Sequence, residues 1–262
     1  MKYDDGAVGK QLLNSGHIDM LATTPETVVI LSDAGVKVKV VGIMDSSKGA
    51  DGIVATKDIK TLSDLKGKKV AFEVGSSSHL LLSYFLEQKG LTTNDLTIVN
   101  LSAPDAGAAF VTGKVDAAVT WEPWLSKGTE RPGGHILVDS KALPIFPDFY
   151  IIRAQTVEKQ PEAIRAMLRA LFTARKFALE HPVEAQKIIA KNLSISDANA
   201  AAEIKTLEWL DYPQNLKYFN GIPSEAQKLL QETADLWLRL KLIKHKIEAD
   251  KIIDPNLLKN LY

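Results

Sequence analysis

Short runs of apolar and β-branched residues alternate, up to about residue 152, with stretches in which apolar residues recur every three or four positions. Runs of the first kind are typical of strands, and stretches of the second kind are typical of amphipathic helices. The pattern predicts strands over residues 17–20, 37–44, 69–74, 97–101, 117–121, 135–138 and 149–152. Strands that alternate with helices along the sequence favour an α/β fold.

The rest of the chain has a different pattern. From residue 160 to about residue 242 the sequence is rich in Ala, Leu and Glu, and segments 162–179 and 224–240 keep apolar spacings of three and four. These spacings predict amphipathic helices. We therefore predict an α/β fold with a helical C-terminal part.

One sequence unit occurs twice. GHID (residues 16–19) followed by TTPE (residues 23–26) matches GKVD (residues 113–116) followed by TWEP (residues 120–123), with Gly, Asp and Thr at the same relative positions. In each copy a helix ends at a Gly suited to a left-handed cap, a short strand follows, and a Thr leads into a new helix. Ligands of open α/β sheets bind beyond the carboxyl ends of strands, so the two units favour two faces for one ligand. A repeated turn without any binding role is the alternative.

Two segments are expected to carry the chain between two lobes. Residues 48–55, with two glycines, predict a first crossover, and residues 147–151 predict a return. This division places residues 1–50 and 149–262 in one lobe and residues 51–148 in the other. Two crossings of this kind form a hinge, because a few residues at the ends of elements absorb lobe closure.

A glycine and three serines follow one of the predicted strands. The order Gly75, Ser76, Ser77, Ser78 predicts a tight turn into a helix, whose first N–H groups and dipole attract an anion. Serine hydroxyls add further donors. One serine is also explained as a helix cap, and His79 is explained either as a ligand group or as a packing residue of the first helical turn.

A WEPW sequence stands where the second copy of the repeat enters its helix. Trp121 is predicted to face a ligand and Trp124 to be structural. Glu122 beside the indole suits an ammonium group or simply the start of a helix. Thr23 and Thr24 hold the matching place in the first copy, either as ligand residues or as helix caps.

Composition narrows the function classes. Thirty-two Lys and Arg balance thirty-two Asp and Glu, so no nucleic acid is expected as a partner. The chain has no Cys, and its five His are scattered without the spacing of a helical metal site. Since no nucleophile with a base, phosphate loop or dinucleotide fingerprint is present, we expect no enzyme, no metal and no cofactor. The first six residues show no export signal.

The motifs together resemble the periplasmic binding proteins of the aliphatic-sulfonate, taurine and nitrate importers, a group related to thiamine-pyrimidine-precursor proteins. The resemblance covers nearly the whole chain and lies in residues 12–19, 49–54, 62–71, 75–82, 109–118 and 121–124. It implies a two-lobed type II periplasmic-binding fold that closes on a ligand, with the family's first strand-helix unit missing here. It also implies a monomer that delivers a small-molecule solute to an ABC-transporter permease, either in the periplasm or lipid-anchored on the outer face of the cytoplasmic membrane.

Carried over to this sequence, the resemblance implies ligand contacts from ten residues: Thr23, Thr24, Asp45, Ser46, Ser76, Ser77, His79, Trp121, Glu122 and Asp148. Several carboxylates near these positions oppose a dianion, and no Arg stands there to pair one. A sulfonate-, taurine- or nitrate-like anion or zwitterion is the first prediction. The alternative is a pyrimidine-precursor binding protein or a synthase of the same fold, although the synthase branch has a Cys-rich motif that this chain lacks. A ligand-sensing module is a third interpretation.

Overall fold

The computed structural model describes residues 6–259 and 261–262, which form two compact units. Unit 1 is made of the described residues up to Ser46, of Pro147–Ile204 and of Glu208–Tyr262. Unit 2 is made of Ser47–Phe146 and Lys205–Leu207. The lobe limits taken from the sequence lie close to these unit limits and stay a prediction.

Strands and helices alternate up to β8, and helices dominate after it. The strands are β1 (Met20–Thr23), β2 (Val38–Ser47), β3 (Asp51–Thr56), β4 (Lys69–Phe72), β5 (Thr97–Asn100), β6 (Ala117–Trp121), β7 (Gly134–Asp139), β8 (Pro147–Arg153) and β9 (Leu207–Trp209). The α-helices are α1 (Gly6–Ser15), α2 (Pro25–Asp33), α3 (Ser77–Glu87), α4 (Ala103–Val111), α5 (Trp124–Glu130), α6 (Ala154–Lys159), α7 (Pro161–Glu180), α8 (Pro182–Leu193), α9 (Asp197–Lys205), α10 (Tyr212–Phe219), α11 (Glu225–Arg239) and α12 (Asn256–Lys259). Short 3-10 helices cover Leu62–Leu65, Thr93–Asp95, Ser140–Ala142 and Ala249–Lys251.

Each unit is built around a sheet. In unit 1 the strand order is β1-β8-β2-β9, and β8 runs antiparallel to both β1 and β2. In unit 2 the order is β5-β4-β6-β3-β7. There β4 is parallel to β5 and β6, whereas β3 is antiparallel to β6 and β7. The predicted α/β fold with a helical C-terminal part is confirmed.

The two copies of the sequence repeat fold in the same way at the ends of their helices. Gly16 and Gly113 have φ angles of +77° and +78°, a left-handed conformation that Gly adopts without steric cost. In each copy the next N–H donates to the carbonyl five residues back, at 2.9 Å, which closes the helix end. β1 and β6 then begin four residues after the Gly. The strand predicted at residues 17–20 is therefore wrong, because residues 17–19 form the turn and the strand begins at Met20.

Two strands were not predicted. β3 lies in the segment predicted only as a crossover, yet it pairs on both edges, and Gly52, Ile53, Val54 and Ala55 are buried. Gly52 allows this pairing, since a Cβ there would lie 2.7 Å from the carbonyl oxygen of Val138 on β7. A strand buried on both faces lacks polar alternation, which explains why the pattern missed it. β9 has only three residues and stands among helices.

Each unit has its own apolar core. In unit 2, Phe110 and Leu125 are fully buried and cluster with Val54 and Ala71. In unit 1, Trp237 of α11 is fully buried, and α11 packs on α2. None of the described helices combines the length and the apolar character that crossing a membrane requires.

Candidate functional site

The five ligand residues predicted in unit 1 lie at one edge of its sheet, which here means the side of the sheet where β1 and β2 end. β1 and β2 both end where the antiparallel β8 begins, so the residues at these strand ends are neighbours across the ladder. The residues at this edge are Thr23, Thr24, Asp45, Ser46 and Asp148.

The five ligand residues predicted in unit 2 also lie on one side of their sheet, at the carboxyl ends of β4 and β6. β4 and β6 are parallel neighbours and end on the same side of the sheet. The segments that follow their carboxyl ends are where ligands of open α/β sheets bind. Ser76, Ser77, His79 and Glu122 lie in these segments, and Trp121 is the last residue of β6.

The serines at the start of α3 have different roles. Ser76 is the N-cap: its hydroxyl oxygen accepts the N–H of Ser78 at 3.2 Å, and the hydroxyl donates to the carbonyl of Glu73 at 2.8 Å. Ser77 is half-buried at the first helical position. Among the described residues, no hydrogen bond occupies the Ser77 hydroxyl. Ser77 therefore combines a hydroxyl with the positive end of the helix dipole, whereas Ser76 is a structural cap.

His79 is buried and uncharged at neutral pH. Burial lowers the pKa of its imidazole to about 4. The N–H of Gly75 donates to its Nδ1 at 3.1 Å, so Nδ1 is the unprotonated nitrogen and Nε2 carries the hydrogen. The ring lies 5.2 Å, between centroids, from Phe72. The Nε2 atom is buried, and His79 carries no positive charge at neutral pH. His79 stays a predicted ligand residue.

Trp121 and Glu122 also differ in their surroundings. Trp121 is half-buried at the last position of β6. The two carboxylate oxygens of Glu122 accept hydrogen bonds from Ser126, one from its N–H at 3.1 Å and one from its hydroxyl at 3.0 Å. Glu122 thus holds the start of α5, and both side chains are half-buried. Both remain predicted ligand residues.

Thr24 of unit 1 is engaged with a buried acid. Its hydroxyl donates to Oε1 of Glu26, and the hydroxyl of Thr27 donates to the same oxygen at 3.3 Å. Glu26 is only 3% exposed, and burial raises the pKa of its carboxyl group despite these hydrogen bonds. Among the described residues, Oε2 of Glu26 has no hydrogen-bond partner. The sequence placed Glu26 near the site without including it among the contacts.

The end of β2 presents an acidic face. Asp45 and Asp148 are direct cross-strand partners, and directly opposite residues of an antiparallel pair project to the same face. Tyr150, two residues along β8 from Asp148, shares this face. Burial, together with the charges of both carboxylates, raises the pKa of the Tyr150 hydroxyl far above its usual value. This edge of unit 1 favours solutes with a positive or hydrogen-bond-donating group.

Asp51 is not among the ligand residues predicted from the sequence. It is the first residue of β3 and is the direct cross-strand partner of Trp121. The residue is half-buried, and burial raises the pKa of its carboxyl group to about 6. Its only sequence signal is an acid placed directly before the glycine and apolar residues of positions 52–55. Among the described residues, no group of three His, Asp or Glu is arranged to hold a metal ion.

Comparison with known proteins identifies a family and several relatives that this chain resembles. The NMT1/THI5-like family matches residues 1–185. A protein of Escherichia coli (strain K12), named provisionally for aliphatic sulfonate binding, is 31% identical over 252 residues, which cover 95% of this chain and 76% of that protein. The taurine-binding periplasmic protein of the same strain is 25% identical over 185 residues, covering 69% of this chain and 57% of that protein.

The crystal structure of the periplasmic aliphatic sulphonate binding protein SsuA from Escherichia coli has the same fold. It superimposes with a TM-score of 0.82 at 30% identity, covering 98% of this chain and 87% of that chain. The match confirms the resemblance drawn from the sequence and the fold that it implied.

Proposed function

Because this chain belongs to the NMT1/THI5-like family, we propose that it is an extracytoplasmic solute-binding protein that captures a small sulfonate for an ABC importer. Relatives named for sulfonate and taurine binding support the solute class. The observation that carries the proposal is the start of α3. There a left-handed Gly75, a capped helix end and the half-buried Ser77 lie on the same sheet edge as Trp121.

A sulfonate suits the start of α3 for electrostatic reasons. The group carries one negative charge at all physiological pH values, and a helix N-terminus offers free N–H donors with roughly half a unit of positive charge. The Ser77 hydroxyl adds an uncharged donor. An arginine is not needed for a single charge held in this way. Trp121 supplies an apolar wall for the alkyl part of the solute.

We propose that the protein acts by binding alone. Its site residues hold and release the solute without making or breaking a covalent bond, and the chain has no Cys to act as a nucleophile. Its partners are the solute and the permease of the importer, and the protein is a monomer. Its location is the periplasm, or the outer face of the cytoplasmic membrane if a lipid holds it there.

Ser77 and Ser76 form a matched pair for mutation. Ser77→Ala is expected to lower sulfonate affinity about 5- to 10-fold, the value of one hydrogen bond to a charged group, with the unfolding temperature unchanged. Ser76→Ala is expected to cost about 1 kcal/mol of stability, because it removes the N-cap of α3. Isothermal titration with propane-1-sulfonate and urea unfolding measure the two effects. Equal losses of affinity and no loss of stability in both variants would contradict the assignment.

A solute screen tests the proposed function. A ligand that binds only the folded chain raises its unfolding temperature, so taurine and alkanesulfonates at millimolar concentration are expected to raise it by several degrees. The acidic face of Asp45 and Asp148 favours a second candidate, an aminopyrimidine of the thiamine-precursor type. A shift with aminopyrimidines and none with any sulfonate would replace the first candidate by the second.

A further inference from the structure

Asp51 and Trp121 are direct cross-strand neighbours in the sheet of unit 2. Asp51 on β3 and Trp121 on β6 are partners in antiparallel register. Directly opposite residues project to the same face, with Cβ atoms about 5 Å apart. The N–H of Glu122 donates to the carbonyl of Ala50 at 2.9 Å, which keeps the two strands paired up to this edge. The acid and the aromatic ring are therefore immediate neighbours at the edge where α3 begins.

A chain of hydroxyl groups fixes one side of the Asp51 carboxyl group. Ser140 accepts the N–H of Gly49 at 2.7 Å and lies 2.7 Å, between hydroxyl oxygens, from Ser47. Ser47 accepts the N–H of Asp51 at 3.3 Å, and its hydroxyl also hydrogen-bonds the Asp51 carboxyl group. The Ser140 hydroxyl therefore donates to the Ser47 hydroxyl oxygen, and the Ser47 hydroxyl donates to the Asp51 carboxyl group. The protein orients the carboxyl group with one donor and leaves most of its acceptor capacity open.

Within the described part of the chain, no cation pairs with Asp51. On the β7 side, Lys141 pairs with Asp139 at 3.8 Å. On the β6 side, the carboxylate of Glu122 is bound to Ser126, and Lys127 lies 4.3 Å above the ring of Trp124. Neither lysine forms an ion pair with Asp51.

The Asp51 carboxyl group lowers the free energy of unfolding when it is ionised. A half-buried carboxylate without a protein cation lowers stability when it is ionised, and burial raises its pKa to about 6. Groups perturbed in this way cluster at functional sites. The cost is offset if the ligand itself brings the missing positive charge.

We propose that Asp51 and Trp121 form an ammonium-binding subsite, and that the solute of this protein is an aminoalkanesulfonate with a primary amine. The proposal rests on the proposed function and narrows its solute class. The carboxylate pairs with the ammonium group, and the indole face adds a cation–π contact. Strands β4 and β3 lie on either side of β6. Their separation of about 10 Å is the span of two hydrogen bonds and a short carbon chain.

Two ligands of the same shape test the subsite. Taurine and propane-1-sulfonate differ by an ammonium in place of a methyl group. In isothermal titration at pH 7.5, the full chain is expected to bind taurine about 10- to 100-fold more tightly. Asp51→Asn, which keeps the shape, is expected to remove this preference by weakening taurine binding at least about tenfold. Propane-1-sulfonate affinity does not fall, because loss of a negative charge favours an anion.

The control is Glu130→Gln, which removes an exposed acid at the end of α5 in the same unit. It is expected to leave both affinities unchanged. The unfolding temperature of each variant is measured alongside, so that misfolding is not mistaken for lost recognition. Equal taurine affinity in wild type and Asp51→Asn, or equal losses for both ligands, overturns the subsite while the proposed function stands. If neither sulfonate binds the wild-type chain, the proposed function and the subsite fall together.

Discussion

Trp121→Ala is expected to weaken taurine and alkanesulfonate binding by about 30-fold, while the unfolding temperature changes by no more than a few degrees. The indole stands half-buried at the end of β6, where we propose that it contacts the solute rather than filling the core of unit 2. Large aromatic groups of this kind contribute about 2 kcal/mol to binding when truncated. Isothermal titration and thermal unfolding of the same preparation measure both effects.

The neighbouring tryptophan supplies the control. Trp124 packs on Gly107 of α4 so closely that a Cβ on that glycine would lie 2.5 Å from the Cβ of Trp124. Trp124→Ala is therefore expected to cost about 2 to 4 kcal/mol of stability, with the solute affinity of the folded protein retained. A variant pair with the reverse behaviour, in which Trp121→Ala unfolds and Trp124→Ala loses affinity, would show that the two roles are exchanged.

Asp51→Asn is expected to stabilise the protein at pH 8 by about 1 to 3 kcal/mol. Burial raises the pKa of Asp51 from its ordinary value of 3.8 to about 6, so the folded chain holds this proton more tightly than the unfolded chain. The contribution to stability is fully present below about pH 4 and is lost as the pH rises through about 6. Asn cannot ionise and avoids that loss.

Urea unfolding of wild type and variant from pH 4 to pH 8 tests this linkage. The stability advantage of Asp51→Asn should grow between about pH 4 and pH 6 and stay constant above. A variant that is less stable than wild type at pH 8 would mean that the ionised carboxylate is stabilised within the fold. A gain in stability together with a loss of taurine affinity is the pattern of a residue retained for function.

The sequence repeat was sufficient to predict how two helices end and lead into strands. Both glycines that end a helix require the left-handed conformation, and the strands that follow begin at the same offset. Once a strand and its following helix are located, the sheet edge at which ligands bind is also located. The residues after β1, β4 and β6 could therefore be named without coordinates. The separate roles of Trp121 and Trp124 were also predicted from their positions at the strand end and in the helix.

The role of Asp51 and the burial of Glu26 could not be predicted from the sequence. Asp51 is recognised as a neighbour of Trp121 only from the pairing of β3 with β6. The sequence pattern does not predict β3, because a strand buried on both faces has no polar alternation. Glu26 occupies a first-turn position where an acid favours the helix dipole, so its sequence context indicates a surface residue. Its burial follows from tertiary packing that local pattern does not encode. Side-chain geometry was likewise needed to show which serine caps α3 and that Glu122 binds Ser126 at the start of α5.

The most direct test of the account is a crystal structure of the chain with taurine bound. The account predicts that the sulfonate oxygens lie within about 3 Å of the Ser77 hydroxyl and the first N–H groups of α3. It places the ammonium group beside Asp51 and Trp121. A sulfonate bound away from the start of α3, or no bound taurine at saturating concentration, would contradict the central claim.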